Sequence, residues 1–173
     1  MHADVKGPIN VPSASGKRYV LCLTDEKSRR TWGFLMKQKS EAAALIQALI
    51  TQLQVETGKL LRVFHADNGG EFIALVAWLQ SRGIRWDPTT PGKPNHNSVA
   101  ERAWRTIFNA ARAMLHHAGL PLSLWGHAVQ TAILLRNKTL TSVNGSLTPE
   151  VIWQQQAWAL AHPHQLLRFS LRQ

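Results

Sequence analysis

Three observations predict an α/β fold. Short runs rich in β-branched, aromatic or alternating residues open the chain at 2–6, 19–24 and 31–36, and an apolar stripe at helical spacing follows them. A further apolar run, 60–66, then ends directly on an acid, Asp67. An acid at the carboxyl end of a strand stands at the mouth of an α/β sheet, where sites are commonly built.

Taken in order, His2 to Lys6 forms a short strand closed by Gly7-Pro8, and a polar loop runs on through Gly16. Tyr19 to Thr24 and Thr31 to Met36 pair across the turn chemistry of Asp25-Glu26-Lys27-Ser28, so the first three strands make an antiparallel meander. Ser40 is the expected N-cap of a helix carrying Leu45, Ile46, Leu49, Ile50 and Leu53 on one face, and Gly58 ends it. Leu60 to Ala66 is the fourth strand. A helix over Glu71 to Ser81 leads through Gly83 to a short strand at Ile84 to Trp86. The three prolines and the glycine of Asp87 to Asn97 mark a mobile loop.

Ser98 to His117 has the strongest amphipathic pattern. Val99, Ala103, Ile107, Ala110 and Met114 face one way, and Arg102, Arg105, Asn109 and Arg112 the other. Gly119 closes that helix, and Leu122 to Arg136 forms another around Trp125, Val129 and Ile133. Thr148-Pro149-Glu150 can start a last helix with proline at its first position, whereas 157–173 shows no period and is unassigned.

At 173 residues and 45% hydrophobic content the chain supports one core and one domain. Twenty Lys and Arg against ten Asp and Glu give a net charge of +10, which favours a polyanionic partner over an acidic small molecule. The lone Cys22 excludes a disulfide framework and reads as a buried strand residue; most of the eight histidines read as surface or boundary residues. No signal peptide and no apolar run of about 20 residues is present, so an intracellular protein without a membrane partner is expected.

Three acids carry the chemistry to be weighed. Brought together, they would hold a pair of hard cations such as magnesium, which activate and neutralise oxygens in phosphoryl transfer. Each has a plainer reading as well. Asp67 before Asn-Gly-Gly is good turn chemistry, and Glu101 completes an S-x-x-E capping box with Ser98 or pairs with Arg105. For the third acid, chemistry alone does not choose between Asp4, on one strand face with His2 and Lys6, and Asp25, in a turn.

Four ordered blocks do choose. H-A-D-V-K-G-P (His2–Pro8), Y-V-L-C-L-T-D-E-K-S-R (Tyr19–Arg29), D-N-G-G-E-F (Asp67–Phe72) and P-N-H-N-S-V-A-E-R (Pro94–Arg102) together resemble the catalytic core of Copia-type retrotransposon integrases, in the retroviral integrase superfamily. The likeness runs from His2 to about Arg136, with an echo at Leu147-Thr148-Pro149. Asn95, His96 and Ser98 depart from the family's usual two glutamines and glycine.

The resemblance implies a ribonuclease-H-like fold, a five-stranded mixed sheet flanked by helices, with residues 1–140 as catalytic core and 141–173 as a C-terminal extension. It implies a catalytic and metal-binding triad of Asp4, Asp67 and Glu101, holding two Mg2+ or Mn2+ ions, and removes the claim of Asp25. The activity implied is DNA integration, by 3′-end processing and strand transfer on element ends and target DNA, from a homodimer or higher oligomer acting on nuclear DNA. Arg102, Arg105 and Arg112 are the expected DNA-binding residues. A catalytically inert nucleic-acid-binding relic of a transposon polyprotein is the alternative, and a hydrolytic nuclease of the same fold is a third reading.

Overall fold

A computed structural model describes residues 1–89 and 98–161, without the side chains of residues 98 and 157–161. Five strands form one mixed sheet in the order β3-β2-β1-β4-β5: β1 (His2–Lys6), β2 (Tyr19–Thr24), β3 (Thr31–Met36), β4 (Val63–Ala66) and β5 (Arg85–Pro88). The first three pair antiparallel, and β4 joins β1, and β5 joins β4, in parallel.

Period-two alternation in β2 sorts the molecule into layers. Leu21 and Leu23 enter a core built with α1 (Ala42–Thr57), α2 (Gly70–Ile73) and α3 (Val76–Ser81), through Ile46, Leu49, Ile50, Phe72 and Leu79. Val20 and Cys22 enter a second core on the opposite face, built with α4 (Ser98–His117) and α5 (Trp125–Lys138) through Trp104, Ile107, Trp125, Val129 and Ile133. The sheet is therefore covered on both sides. α6 (Pro149–Ala161) packs on α1 and α5, with Trp153 set edge-on to Trp32 at 5.0 Å. No helix among the described residues is long and apolar enough to cross a membrane.

Several boundaries differ from expectation, each for a local reason. The first helix is capped from Gln38 instead of Ser40: the Glu41 carboxylate accepts from the Lys37 and Gln38 amides at 2.7 and 2.8 Å, and a 3-10 turn at Lys39–Glu41 precedes α1. Gly58, in the left-handed region at φ 66°, ends α1 as expected and donates to Gln54 O. The expected strand at 60–66 shortens to Val63–Ala66, because that is the stretch that finds partners in β1 and β5. The expected helix at 71–81 breaks into α2 and α3, and the fifth strand extends past Trp86 to Pro88. On α4 the buried face is Ala100, Ala103, Trp104, Ile107, Ala111 and Leu115, rotated from the predicted stripe by the fit of Trp104 against the sheet. Of the expected loop at 87–97, residues 90–97 lie outside the described residues, as do 162–173 of the tail.

β3 is an edge strand, and its start is sealed by a side chain. Asn137 of α5 accepts from the Thr31 amide and donates to the Thr31 carbonyl, both at 2.8 Å and both buried, completing the pairing that a sixth strand would supply. Asn137→Ala would leave two buried backbone groups without partners. A loss of about 2–4 kcal/mol is expected in urea or thermal unfolding, and a change below about 0.5 kcal/mol would show that water reaches this edge.

Candidate active site

Register decides which side chains share a face. Asp4 lies opposite Cys22, and His2 opposite Thr24, so His2, Asp4 and Lys6 all stand on the face that Val20 and Cys22 present to α4 and α5. β4 pairs in parallel through His2 and His65, and Asp67 follows His65 by two residues, which continues the same parity off the carboxyl end of the strand. α4 packs across β1 and β2, and its first turn carries Glu101.

Asp4 is only 9% exposed. Burial, more than any other influence, raises its carboxyl above the usual range; Lys6 pulls it down, and the nearby charge of Asp67 raises it again. The Lys6 ammonium sits 2.9 Å from Asp4 Oδ2 and is the local counter-cation. Asp67 is exposed, and its Oδ1 accepts from the Gly69 amide at 2.9 Å, so the turn reading of Asp67 is realised in full. Gly69 leaves space between two acids: a Cβ there would stand 2.9 Å from both Asp67 Oδ1 and Glu71 Oε2 and would displace these side-chain ends. Glu71 is thus a further acid beside Asp67, mostly buried and paired with Lys39 at 3.2 Å.

Glu101 is exposed and forms no ion pair among the described residues, so its expected pair with Arg105 is absent; the Ser98 side chain of the proposed capping box lies outside them. Asp4, Asp67 and Glu101 are not drawn into one tight cluster. Among the described residues, the group of possible ligands whose donor atoms all lie within 4.8 Å of one another is His2, Glu26 and His65. Local partners explain the difference, since Lys6 holds Asp4 and the Gly69 amide holds Asp67.

The histidine group was not legible beforehand, because only strand register sets residues 2 and 65 side by side. His2 is 4% exposed, and burial lowers its imidazole to about 4; His65 is lowered chiefly by burial too. Burial thus disfavours the charged form of both, while Asp87, 3.0 Å from His65 Nδ1, opposes this shift at His65. Their rings stack at 4.4 Å and 11°, so their in-plane lone pairs run side by side and do not converge on one ion. The oxygen donors Asp4 and Asp67 suit magnesium or manganese better: two carboxylates on one face, coupled by charge, with a single ammonium offsetting one of them.

The three expected DNA-binding arginines are all exposed on α4. Arg112 bonds back to its own helix, to Asn109 Oδ1 at 3.2 Å and Phe108 O at 3.4 Å, which matches a plain helix surface. Arg102 lines a cleft between α4 and α5. Cys22 is fully buried as expected, its thiol pushed up to about 12 by burial.

A raised folded-state pKa means that folding takes up a proton at Asp4, so its contribution to stability falls as pH rises from the unfolded to the folded value. Asp4→Asn is therefore expected to melt above the native protein at pH 7 in chelator. The gap should close as pH drops into the ordinary carboxylate range; a gap that does not change with pH would contradict this reading of Asp4.

Comparison with known proteins places this geometry. Residues 1–94 match the model of the integrase core domain. Over 164 residues the chain is 37% identical to the retrovirus-related Pol polyprotein from transposon TNT 1-94 of Nicotiana tabacum, covering 94% of the chain and 12% of that protein. It is 32% identical over 124 residues to the Pol polyprotein from transposon RE1 of Arabidopsis thaliana, covering 72% and 8%. The chain thus spans a small part of the length of these relatives. The catalytic core domain of BIV integrase superposes with a TM-score of 0.64 at 20% identity, over 91% of this chain and 95% of that one. A chain of the simian T-cell lymphotropic virus intasome, determined in complex with PP2A regulatory subunit B56 gamma, does so at 0.64 and 17%, over 93% and 53%. These likenesses show the ribonuclease-H-like fold expected from the motifs. From the family match and the 37% identity to TNT 1-94 over 94% of this chain, the chain belongs to the integrase core domain family, as a retrotransposon integrase catalytic core.

Proposed function

We propose that this chain is the catalytic core for metal-dependent polynucleotidyl transfer on DNA, with Asp4, Asp67 and Glu101 as the residues that would hold two Mg2+ or Mn2+ ions. The observation that carries the reading is the buried Asp4 carboxylate, charge-coupled to Asp67 on the sheet face beneath α4, in a chain of net charge +10. Bound there, the ions would supply charge neutralisation at the reacting phosphate and activation of the attacking oxygen.

The protein's own groups bind and orient. The Gly69 amide fixes one oxygen of Asp67 and leaves the other for a ligand. Lys6 balances Asp4 and can swing aside, being half exposed on a flexible stem. Arg102 and Arg105 of α4 hold backbone phosphates and set the scissile bond over the carboxylates. In 3′-end processing a water oxygen forms the new bond to phosphorus as the P–O3′ bond breaks; in strand transfer a DNA 3′ hydroxyl takes the place of that water. Residues 1–140 form the core of this activity and 141–173 its C-terminal extension, in a homodimer or larger oligomer working on nuclear DNA.

The inert-relic alternative has less support, since a buried, desolvated carboxylate lowers stability without a use in a purely structural remnant. Cleavage or disintegration of a branched DNA in manganese tests the proposal. Asp67→Asn and Glu101→Gln should each lower the rate at least about 100-fold. Equal rates in native protein and Asp67→Asn would sink it. Arg105→Ala should reduce the salt dependence of DNA binding by about one phosphate contact, and an unchanged slope would remove that residue from the interface.

A further inference from the structure

A cleft of about 460 Å3 runs between α4 and α5, lined along α4 by Val99, Arg102, Thr106 and Ala110 and floored by Arg29, Arg136 and Thr141. Arg29 belongs to the turn after β2. The Asp25 carboxylate clamps that turn by accepting from the Ser28 amide and hydroxyl, both at 2.8 Å. Arg29 itself adopts φ 63°, unusual for a side chain other than glycine. Its carbonyl accepts from Arg136 Nη1 at 2.6 Å, and Arg136 also donates to Thr31 Oγ1 at 2.9 Å. The Arg136 guanidinium is thus fastened to the backbone of Arg29, and both arginines line the cleft.

Their charge meets no carboxylate among the described residues. Arg29 Nε and Nη1 and Thr141 Oγ1 are buried and have no hydrogen-bond partner among the described residues. None of Arg29, Arg102 and Arg136 is among the ion pairs of the described residues, and all ten Asp and Glu of the chain are described ones. Residues 90–97 and 162–173 contain no Asp or Glu. Buried, unpartnered guanidinium donors are costly unless an anion meets them. An anion from outside the chain would meet them.

The shape selects its kind. From Val99 to Ala110 the cleft follows α4 for about 16 Å, far longer than one phosphate group, and it begins two residues from Glu101. An open cleft of that length suits successive phosphates of a strand better than a single free ion. We propose that the α4–α5 cleft is a phosphodiester track in which Arg29 and Arg102, with the Thr141 hydroxyl, grip the backbone of a DNA strand passing the Asp4–Asp67 site. This assignment rests on the DNA-directed reading above.

The test is binding of a short DNA duplex in chelator, across a range of salt concentrations, with melting curves to confirm folding. Arg29→Gln keeps a side chain at the same backbone conformation and removes the charge. It should weaken binding several-fold at low salt and lower the slope of log affinity against log salt by about one unit. Native slope and affinity in a folded Arg29→Gln protein would overturn the proposal. Should that variant not fold, Arg102→Gln on the exposed helix surface must show the same drop, and its absence is equally decisive. Inorganic phosphate is the control for a free ion: an Arg29-dependent rise in melting temperature with phosphate, together with an unchanged DNA slope, would overturn the strand assignment. Chelator removes catalysis from the readout. A native protein inert in manganese yet sensitive to Arg29→Gln would refute the enzyme and leave the track intact.

Discussion

The double burial of β2 is the constraint on which the rest depends. Its residues alternate between two cores, Leu21 and Leu23 against α1, Val20 and Cys22 against α4 and α5, and all four are fully enclosed. Because β1 pairs with β2 residue for residue, its own alternation has no freedom. Ala3 goes to the α1 side, while His2 and Asp4 go beneath α4. A one-residue slip would bury Val5 and Ala3 under α4 and turn the carboxylate of Asp4 into the α1 core. The position of the acid is thus enforced by the packing of a neighbouring strand that takes no part in chemistry.

That enforcement has a cost, and it shows in the electrostatics. A carboxylate enclosed by the sheet and a helix is held above its usual pKa, with another acid nearby and one lysine as partner. Such a site is less stable than an apolar one of the same shape and better prepared for a cation. The turn after β4 follows the same logic. Gly69 leaves room for the carboxylates of Asp67 and Glu71 on either side of it, which a side chain there would push aside.

The far edge of the sheet links fold to charge. Asn137 closes the start of β3, and one residue earlier Arg136 reaches the carbonyl of Arg29. Asn144 adds a bond to the Ser28 carbonyl at 2.7 Å. α5 and the segment after it therefore fasten the turn between β2 and β3, and in doing so they fix two arginines at the floor of the α4–α5 cleft. A stabilising contact and an anion-seeking surface are built from the same residues.

Strand alternation, helical stripes, the Gly58 terminus and the strand-then-acid order at Asp67 are local features, and the sequence by itself determined them; the ordered motifs determined the family. Boundaries that depend on partners were not legible. Leu60 reads as strand but has no neighbour to pair with, and Ser40 reads as a cap where Glu41 reaches the amides first. Only the tertiary structure decided that His2 and His65 stack, that Glu71 flanks Asp67, and that Arg29 and Arg136 share one cleft. It also decided that Asp4 and Asp67 are each held by a local partner and are not closed upon Glu101. The physical reason is common to all of these: periodicity assigns a residue to a face, but which residues meet across that face depends on register and helix placement, and those are settled by packing between segments far apart in the chain.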